Sequence, residues 1–333
     1  MTHLVKNVAL LLVICLACAE LVLRLGGVTP VPQPPAAAEA ANLYVADPEL
    51  GWLNRANSKL LLSAAGAAPN TVTVLPNGAR ATGRPRPFER EAPHRDLIFI
   101  GGSFTFGFGL NDHETYAWKV QTLLPDWSVH NFGVNGYGTC QSYILLKRLF
   151  ERHRWHRPVV IYGFIEHHKE RNVANYLWHY HLSLLASTGN ISLPSCGLDG
   201  SGAIIINPAR PYPQLPLRHA LATISILEQL YLRIVGFPLA AQKQRIMAQL
   251  VRKLSDLTAT GSGAFAVLLF DGGKAEGSDN RRILEQSGAR VIDLSAAQRK
   301  MNGSLRQRDG HPSGKMTDLL AQEVVRFVGA LKN

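Results

Sequence analysis

From residue 95 onward, short apolar runs alternate with helical stretches. That alternation constrains the fold of the 333-residue chain more than any other feature. Strand-like runs fall at 97–100, 129–132, 158–164, 265–270 and 290–294. They are apolar, partly β-branched and bounded by turn residues, as buried strands are. Helical stretches at 116–124, 141–153, 280–287 and 314–330 lie between them. Strands connected through helices imply a parallel sheet covered on both faces. The expected fold class is therefore α/β, a three-layer α/β/α sandwich on a five-stranded parallel sheet. The region is long enough for one sizeable core, so 95–333 is expected to be one domain.

The first of these strands runs directly into Gly101-Gly102-Ser103. Two glycines allow a sharp turn and keep side chains away from the serine. Ligands of open α/β sheets gather at the carboxyl ends of the strands, so a serine there is well placed to attack. Near the other end of the chain, Asp309-Gly310-His311-Pro312-Ser313 places an acid two residues before a histidine, with Ser313 a candidate helix cap. A hydroxyl nucleophile needs a base, and the base needs an orienting acid. Ser103, His311 and Asp309 supply these three roles. Taken singly, Gly-Gly-Ser is an ordinary turn and Asp-Gly-His an ordinary polar loop.

Their order and spacing resemble those of the SGNH (GDSL-type) hydrolases, in the subgroup of membrane-anchored bacterial proteins. The segment Gly101-Gly102-Ser103-Phe104-Thr105-Phe106-Gly107 resembles the family's first block, with Gly102 in place of the usual aspartate. Asn131-Phe132-Gly133-Val134-Asn135-Gly136-Tyr137-Gly138-Thr139 resembles the second block, and Asp309-Gly310-His311-Pro312 the last. The match runs from about Asp47 to the carboxyl terminus. The resemblance implies an oxyanion hole made by the Ser103 N–H, the Gly136 N–H and an Asn side chain from a third block. Here that third block departs from Gly-x-Asn-Asp. It reads Gly163-Phe164-Ile165-Glu166-His167-His168-Lys169-Glu170-Arg171-Asn172. Either His167 stands in as donor, or Asn172 reaches back, or the donor is absent.

Residues 1–27 read as a membrane anchor. The stretch 8–19 is uninterrupted and apolar, and continuing to Leu25 gives the length of a span at the expense of Glu20 and Arg24. Lys6 on the short flank puts the amino terminus in the cytoplasm and the rest outside the cytoplasmic membrane. Cleavage near Ala19, giving a secreted protein, is the alternative; a lipidated Cys18 ranks last. Residues 28–94 read as a Pro/Ala-rich spacer and a small β-rich lead-in without evident chemistry. Residues 174–258 interrupt the alternation. They read as an insertion beside the site, broken near Gly236-Phe237-Pro238, and Glu228 and Arg233 speak against a second span. Cys140 and Cys196 could form a disulfide in such a compartment, pinning the insertion.

The net charge of +11 gathers at Arg80, Arg84, Arg86, Arg90 and Arg95 and again over 147–157. In an exported protein this reads as a solvated basic face, with anionic glycans or lipid headgroups ahead of nucleic acid as partners. His167, His168 and Glu170 lack the spacing of a zinc-binding helix, and no metal or cofactor is expected. The expected activity is a cofactor-free ester hydrolase acting through an acyl-enzyme on Ser103, on small acyl (acetyl) esters of a glycan or lipid. The alternatives are acyl transfer to a polysaccharide by the same triad, and an inactive glycan-binding protein of the same fold.

Overall fold

The computed structural model describes residues 2–33, 43–62, 69–83, 95–185, 191–270, 275–294 and 305–331. Helix α1 (Thr2–Leu25) comes first. Two antiparallel hairpins follow, β1 (Tyr44–Asp47) with β2 (Gly51–Asn54) and β3 (Ser58–Leu62) with β4 (Asn70–Val74). Then come β5 (Arg95–Gly101), α2 (Ser103–Phe106), α3 (Tyr116–Leu123), β6 (Trp127–Gly133), α4 (Thr139–Arg152) and β7 (Val159–Phe164). The middle of the chain forms α5 (His168–Asn172), α6 (Tyr176–Leu185), β8 (Ser192–Leu198), β9 (Ile204–Pro211), α7 (Ala222–Ala240) and α8 (Lys243–Thr260). β10 (Ala264–Leu269), α9 (Ala275–Gln286), β11 (Arg290–Asp293) and α10 (Gly314–Ala330) complete it.

The central sheet has five parallel strands in the order β11-β10-β7-β5-β6. Side chains of β5 alternate between its faces, as the two-residue period of a strand requires. Ile98 and Ile100 join a core with α4 and α8, whereas Leu97 and Phe99 join a core with α3 and α10. The fold is thus a three-layer α/β/α sandwich, and β5 is buried on both faces.

The segment expected as an insertion divides in two. α6, the β8–β9 hairpin and α7 project from the alternation. α8 belongs to the sandwich, burying Ile246, Met247, Leu250, Val251 and Leu254. The break expected near Gly236-Phe237-Pro238 falls a few residues later, at 241–242, where α7 and α8 meet at 55°. α7 runs through Pro238 and ends at Ala240, two residues beyond it.

Arg80 departs from the expected basic face, being wholly buried. Its guanidinium lies 3.1 Å from Asp112 and donates to the carbonyls of Phe106, Gly107, Leu110 and Thr71. A buried cation is tolerated only with this many partners. Most of these partners form the turn after α2, so Arg80 braces that helix from the lead-in. Arg95 is exposed, and Arg84, Arg86 and Arg90 lie outside the described residues.

Candidate active site

β6 pairs with one edge of β5 and β7 with the other, so the chain reverses its direction of travel across the sheet at β5. Such a reversal opens a crevice at the carboxyl end of the strand. Ser103 stands there as the first residue of α2, 7% exposed. Its Oγ lies 2.8 Å from Nε2 of His311, although 208 residues separate them. Asp309 accepts from the His311 backbone N–H at 3.1 Å. Its other carboxylate oxygen is 3.0 Å from His311 Nδ1, at ion-pair distance but off the line of a ring N–H hydrogen bond.

The loop before α10 holds His311 in place. The Gln307 side chain ties the loop to the turn after α2 by donating to the carbonyls of Phe108 and Pro312, both at 2.9 Å. Arg306 donates to the carbonyls of Gly310 (2.9 Å) and Phe270 (3.2 Å). The rings of Phe104 and Phe108 flank the imidazole at centroid distances of 5.1 and 4.9 Å. This burial pushes the His311 pKa below that of an ordinary imidazole. Asp309 opposes the shift, while the nearby Arg171 and Arg306 charges add to it. A neutral imidazole at neutral pH is the form that accepts a proton.

Gly136 adopts a left-handed φ of 86° in the turn after β6. A β-carbon there would come within 2.9 Å of the Trp52 ring and 3.3 Å of Trp178. Trp52 belongs to β2, in the lead-in read as without chemistry. Its Nε1 donates to the Asn135 carbonyl at 3.0 Å, and its own carbonyl accepts from the Tyr137 hydroxyl. The lead-in therefore fixes the second block.

The third block differs from expectation. His167 is exposed to solvent. Asn172 is buried but committed: its Oδ1 accepts from the Cys140 N–H at 2.9 Å and its Nδ2 donates to Thr139 Oγ1 at 3.1 Å. The residue turned inward is His168, 1% exposed. Its Nδ1 is 2.6 Å from the Tyr162 hydroxyl, which in turn lies 2.8 Å from Thr139 Oγ1. Its Nε2 is buried with no hydrogen-bond partner among the described residues. Burial holds this imidazole well below its ordinary pKa, so it is neutral.

Gly102 explains where that nitrogen points. A β-carbon on Gly102 would lie 2.9 Å from His168 Nε2, 2.9 Å from the Tyr137 carbonyl oxygen and 3.2 Å from Arg171 Nη1. His168 and Arg171, one turn apart on α5, thus converge on the backbone beside Ser103. Arg171 donates to the Tyr137 carbonyl at 3.1 Å and packs against the Trp178 ring at 4.3 Å. Among the described residues it has no acidic partner at ion-pair distance. Burial draws its pKa down to about 10. A signal for this pair existed in the sequence: an unusually small residue in the first block beside unusually large ones in the third.

Cys140, at the start of α4, is bonded to Cys196 of β8, with Cα atoms 5.9 Å apart. The bond fastens the projecting β8–β9 hairpin to the helix that follows the second block.

No protein-family description matches the chain, and no curated protein sequence does. Solved structures similar in fold are lipolytic hydrolases and esterases. The psychrotrophic esterase EstA from Pseudoalteromonas sp. is 14% identical, with 72% of this chain and 99% of that one aligned at a TM-score of 0.38. A member of the lipolytic G-D-S-L family from Veillonella parvula is 11% identical over 70% and 97%, at 0.36. A variant of Axe2, an acetyl xylan esterase from Geobacillus stearothermophilus, is 13% identical over 70% and 94%, at 0.36. Independently of these likenesses, the chain is a three-layer α/β/α protein with a serine, a histidine and an aspartate gathered at the carboxyl edge of its sheet.

Proposed function

We propose that this chain is an SGNH-type serine ester hydrolase. The approach of His311 Nε2 to Ser103 Oγ at 2.8 Å carries the reading, because it joins the two ends of the domain at one hydroxyl. Ser103 Oγ attacks the ester carbonyl carbon and its proton passes to His311 Nε2. Asp309 stabilises the imidazolium formed. The tetrahedral intermediate then expels the alcohol, which takes the proton back from His311. Water repeats the sequence on the acyl-enzyme and releases the acid.

The oxyanion needs donors, each worth roughly 3 kcal/mol in the transition state. The Ser103 and Gly136 N–H groups supply two, and His168 takes the third position in place of His167. That role requires the Tyr162 hydroxyl, which donates to Thr139 Oγ1 in the structure, to turn its proton onto His168 Nδ1 when substrate binds. In that tautomer His168 Nε2 carries a hydrogen, with no competing acceptor among the described residues. Arg171 adds a positive charge that the oxyanion would balance.

α1 supports placement at a membrane. Its segment Val5–Leu25 has a mean hydropathy of 2.6 and is long enough to span. With Lys6 inside, the triad works outside the cytoplasmic membrane, on small acyl esters of a glycan or lipid. The test is a burst assay of the full chain in detergent with p-nitrophenyl acetate, beside Ser103→Ala, with intact-mass detection of the acyl adduct. A Ser103-dependent adduct that turns over in water is the expected result. An adduct stable until a sugar hydroxyl is added makes the protein a transferase, and no adduct at all makes the triad a relic.

A further inference from the structure

Glu228 and Arg233 in α7 speak against surrounding lipid when read as a string, because charges are costly in hydrocarbon. The structure separates them. Glu228 is 1% exposed and faces the protein, accepting from the Tyr212 hydroxyl at 2.7 Å and the Leu215 N–H at 2.8 Å. The Arg218 guanidinium lies 3.0 Å from it. With Ala222 and Ser225 it makes up the inner side of the helix. The other side carries Ile226, Leu227, Leu230, Tyr231, Ile234 and Phe237, each at least 39% exposed. Those positions recur at helical spacing and form one stripe. Arg233 is the only other charged residue of α7. A stripe this long is more than an isolated soluble surface usually leaves in water.

What lies beyond the stripe is indicated by its joint with α1. Glu20 of α1 caps the start of α7, accepting from the Ala222 and Thr223 N–H groups at 2.9 Å each and from the Thr223 hydroxyl. Arg24 pairs with Glu20 at 2.6 Å and donates to the Ala220 carbonyl at 2.6 Å. Just past α1, the Val31 N–H donates to the Arg218 carbonyl at 3.0 Å and the Val31 carbonyl meets His219 Nδ1 at 2.9 Å. The segment read as a spacer therefore begins by folding back onto the root of α7. The span and the stripe leave one polar knot. That knot also explains how Glu20 is accommodated in a span, since every charge in it is matched locally. α7 and α8 together also have the hydropathy of a bent span, but they meet at 55° and α8 is buried in the sandwich.

We propose that α7 is a second membrane-contacting element, its outer stripe lying in the headgroup–acyl boundary of the bilayer that α1 enters, with Arg233 reaching lipid phosphates. An exposed apolar face with a single basic residue, continuous with a span, fits an interfacial helix. The proposal rests on the reading of α1 as a membrane segment. Its consequence is for the substrate. α6 packs against α7 and carries Trp178, which lies against Arg171 and beside Gly136, so the element at the lipid adjoins the helix that borders the site, and this favours esters presented at the membrane surface.

The test uses the full chain carrying benzoylphenylalanine at Leu230, Ile234, Val13 of α1 or Arg282 of α9, one site at a time. Each variant is reconstituted in phosphatidylethanolamine–phosphatidylglycerol vesicles, irradiated and weighed by mass spectrometry. Phospholipid adducts are expected at 230 and 234 within about threefold of the Val13 yield and at least about tenfold above Arg282. An adduct at Val13 with none at 230 and 234 overturns the proposal and leaves the anchor intact. Protein–protein adducts at 230 and 234 also overturn it, giving the stripe to a second copy. No adduct at Val13 overturns the membrane reading of α1, and this proposal with it.

Discussion

His168 occupies the space that a side chain on Gly102 would need, its Nε2 2.9 Å from the position of a β-carbon there. The first-block glycine and the third-block histidine therefore belong together. Restoring the aspartate that the resembling family carries, as Gly102→Asp, crowds both this imidazole and the rigid Tyr137 carbonyl. We expect a loss of about 1–3 kcal/mol by urea denaturation, the usual scale for overpacking. Adding His168→Ala should recover part of that loss. Strict additivity of the two changes would show that the contact does not limit residue 102.

If His168 donates to the oxyanion, removing it costs transition-state stabilisation rather than substrate binding. His168→Ala should lower kcat by about 10²–10³-fold with little change in KM, the scale of one lost oxyanion donor. Tyr162→Phe should produce a smaller loss, because it only frees the tautomer. His167→Ala, at an exposed position, should leave the rate unchanged. A large effect at His167 with none at His168 would return the role to the residue the sequence first suggested.

The depressed pKa of His311 fixes the sign of the pH dependence. The base must be neutral, so kcat/KM should rise with pH, with the midpoint of that rise below the ordinary imidazole value of 6.5. Arg171 contributes to that depression. Arg171→Met should therefore move the acid limb to higher pH, and Asp309→Asn, which removes an opposing charge, should move it lower. Limbs that do not move in Arg171→Met would place that charge too far from the imidazole to matter.

The Cys140–Cys196 bond closes a segment with a sequence separation of 56. Chain-entropy arguments give a crosslink of this length about 4 kcal/mol of stabilisation. The paired Cys140→Ser, Cys196→Ser variant should show a loss of that order in urea. Its hairpin β8–β9 should gain amide exchange before the central sheet does. An unchanged unfolding midpoint would mean that the segment is held by packing alone.

The sandwich and its strands were legible in the sequence, and so were Ser103, Asp309 and His311 as residues that the fold brings together. Each depends on local signals: apolar runs of strand length, amphipathic runs of helix length, and a serine and a histidine at the ends of such runs. β5 and the residues after it are legible because a doubly buried strand must be continuously apolar and its turn must be small. What lies across the fold was not legible. That His168 and not His167 turns inward depends on a one-residue rotation at the start of a five-residue helix, α5, which carries too little periodicity to read. Arg80 looks like any surface arginine until the carbonyls of a distant turn close around it. Glu228 looks like an obstacle to lipid until Arg218 and Tyr212 claim it from the inner side of α7. In each case the deciding quantity is the partner of a polar group, and a buried charge or donor is acceptable only where such partners are brought together. Tertiary structure brings them together, and a string of residue types does not contain that information.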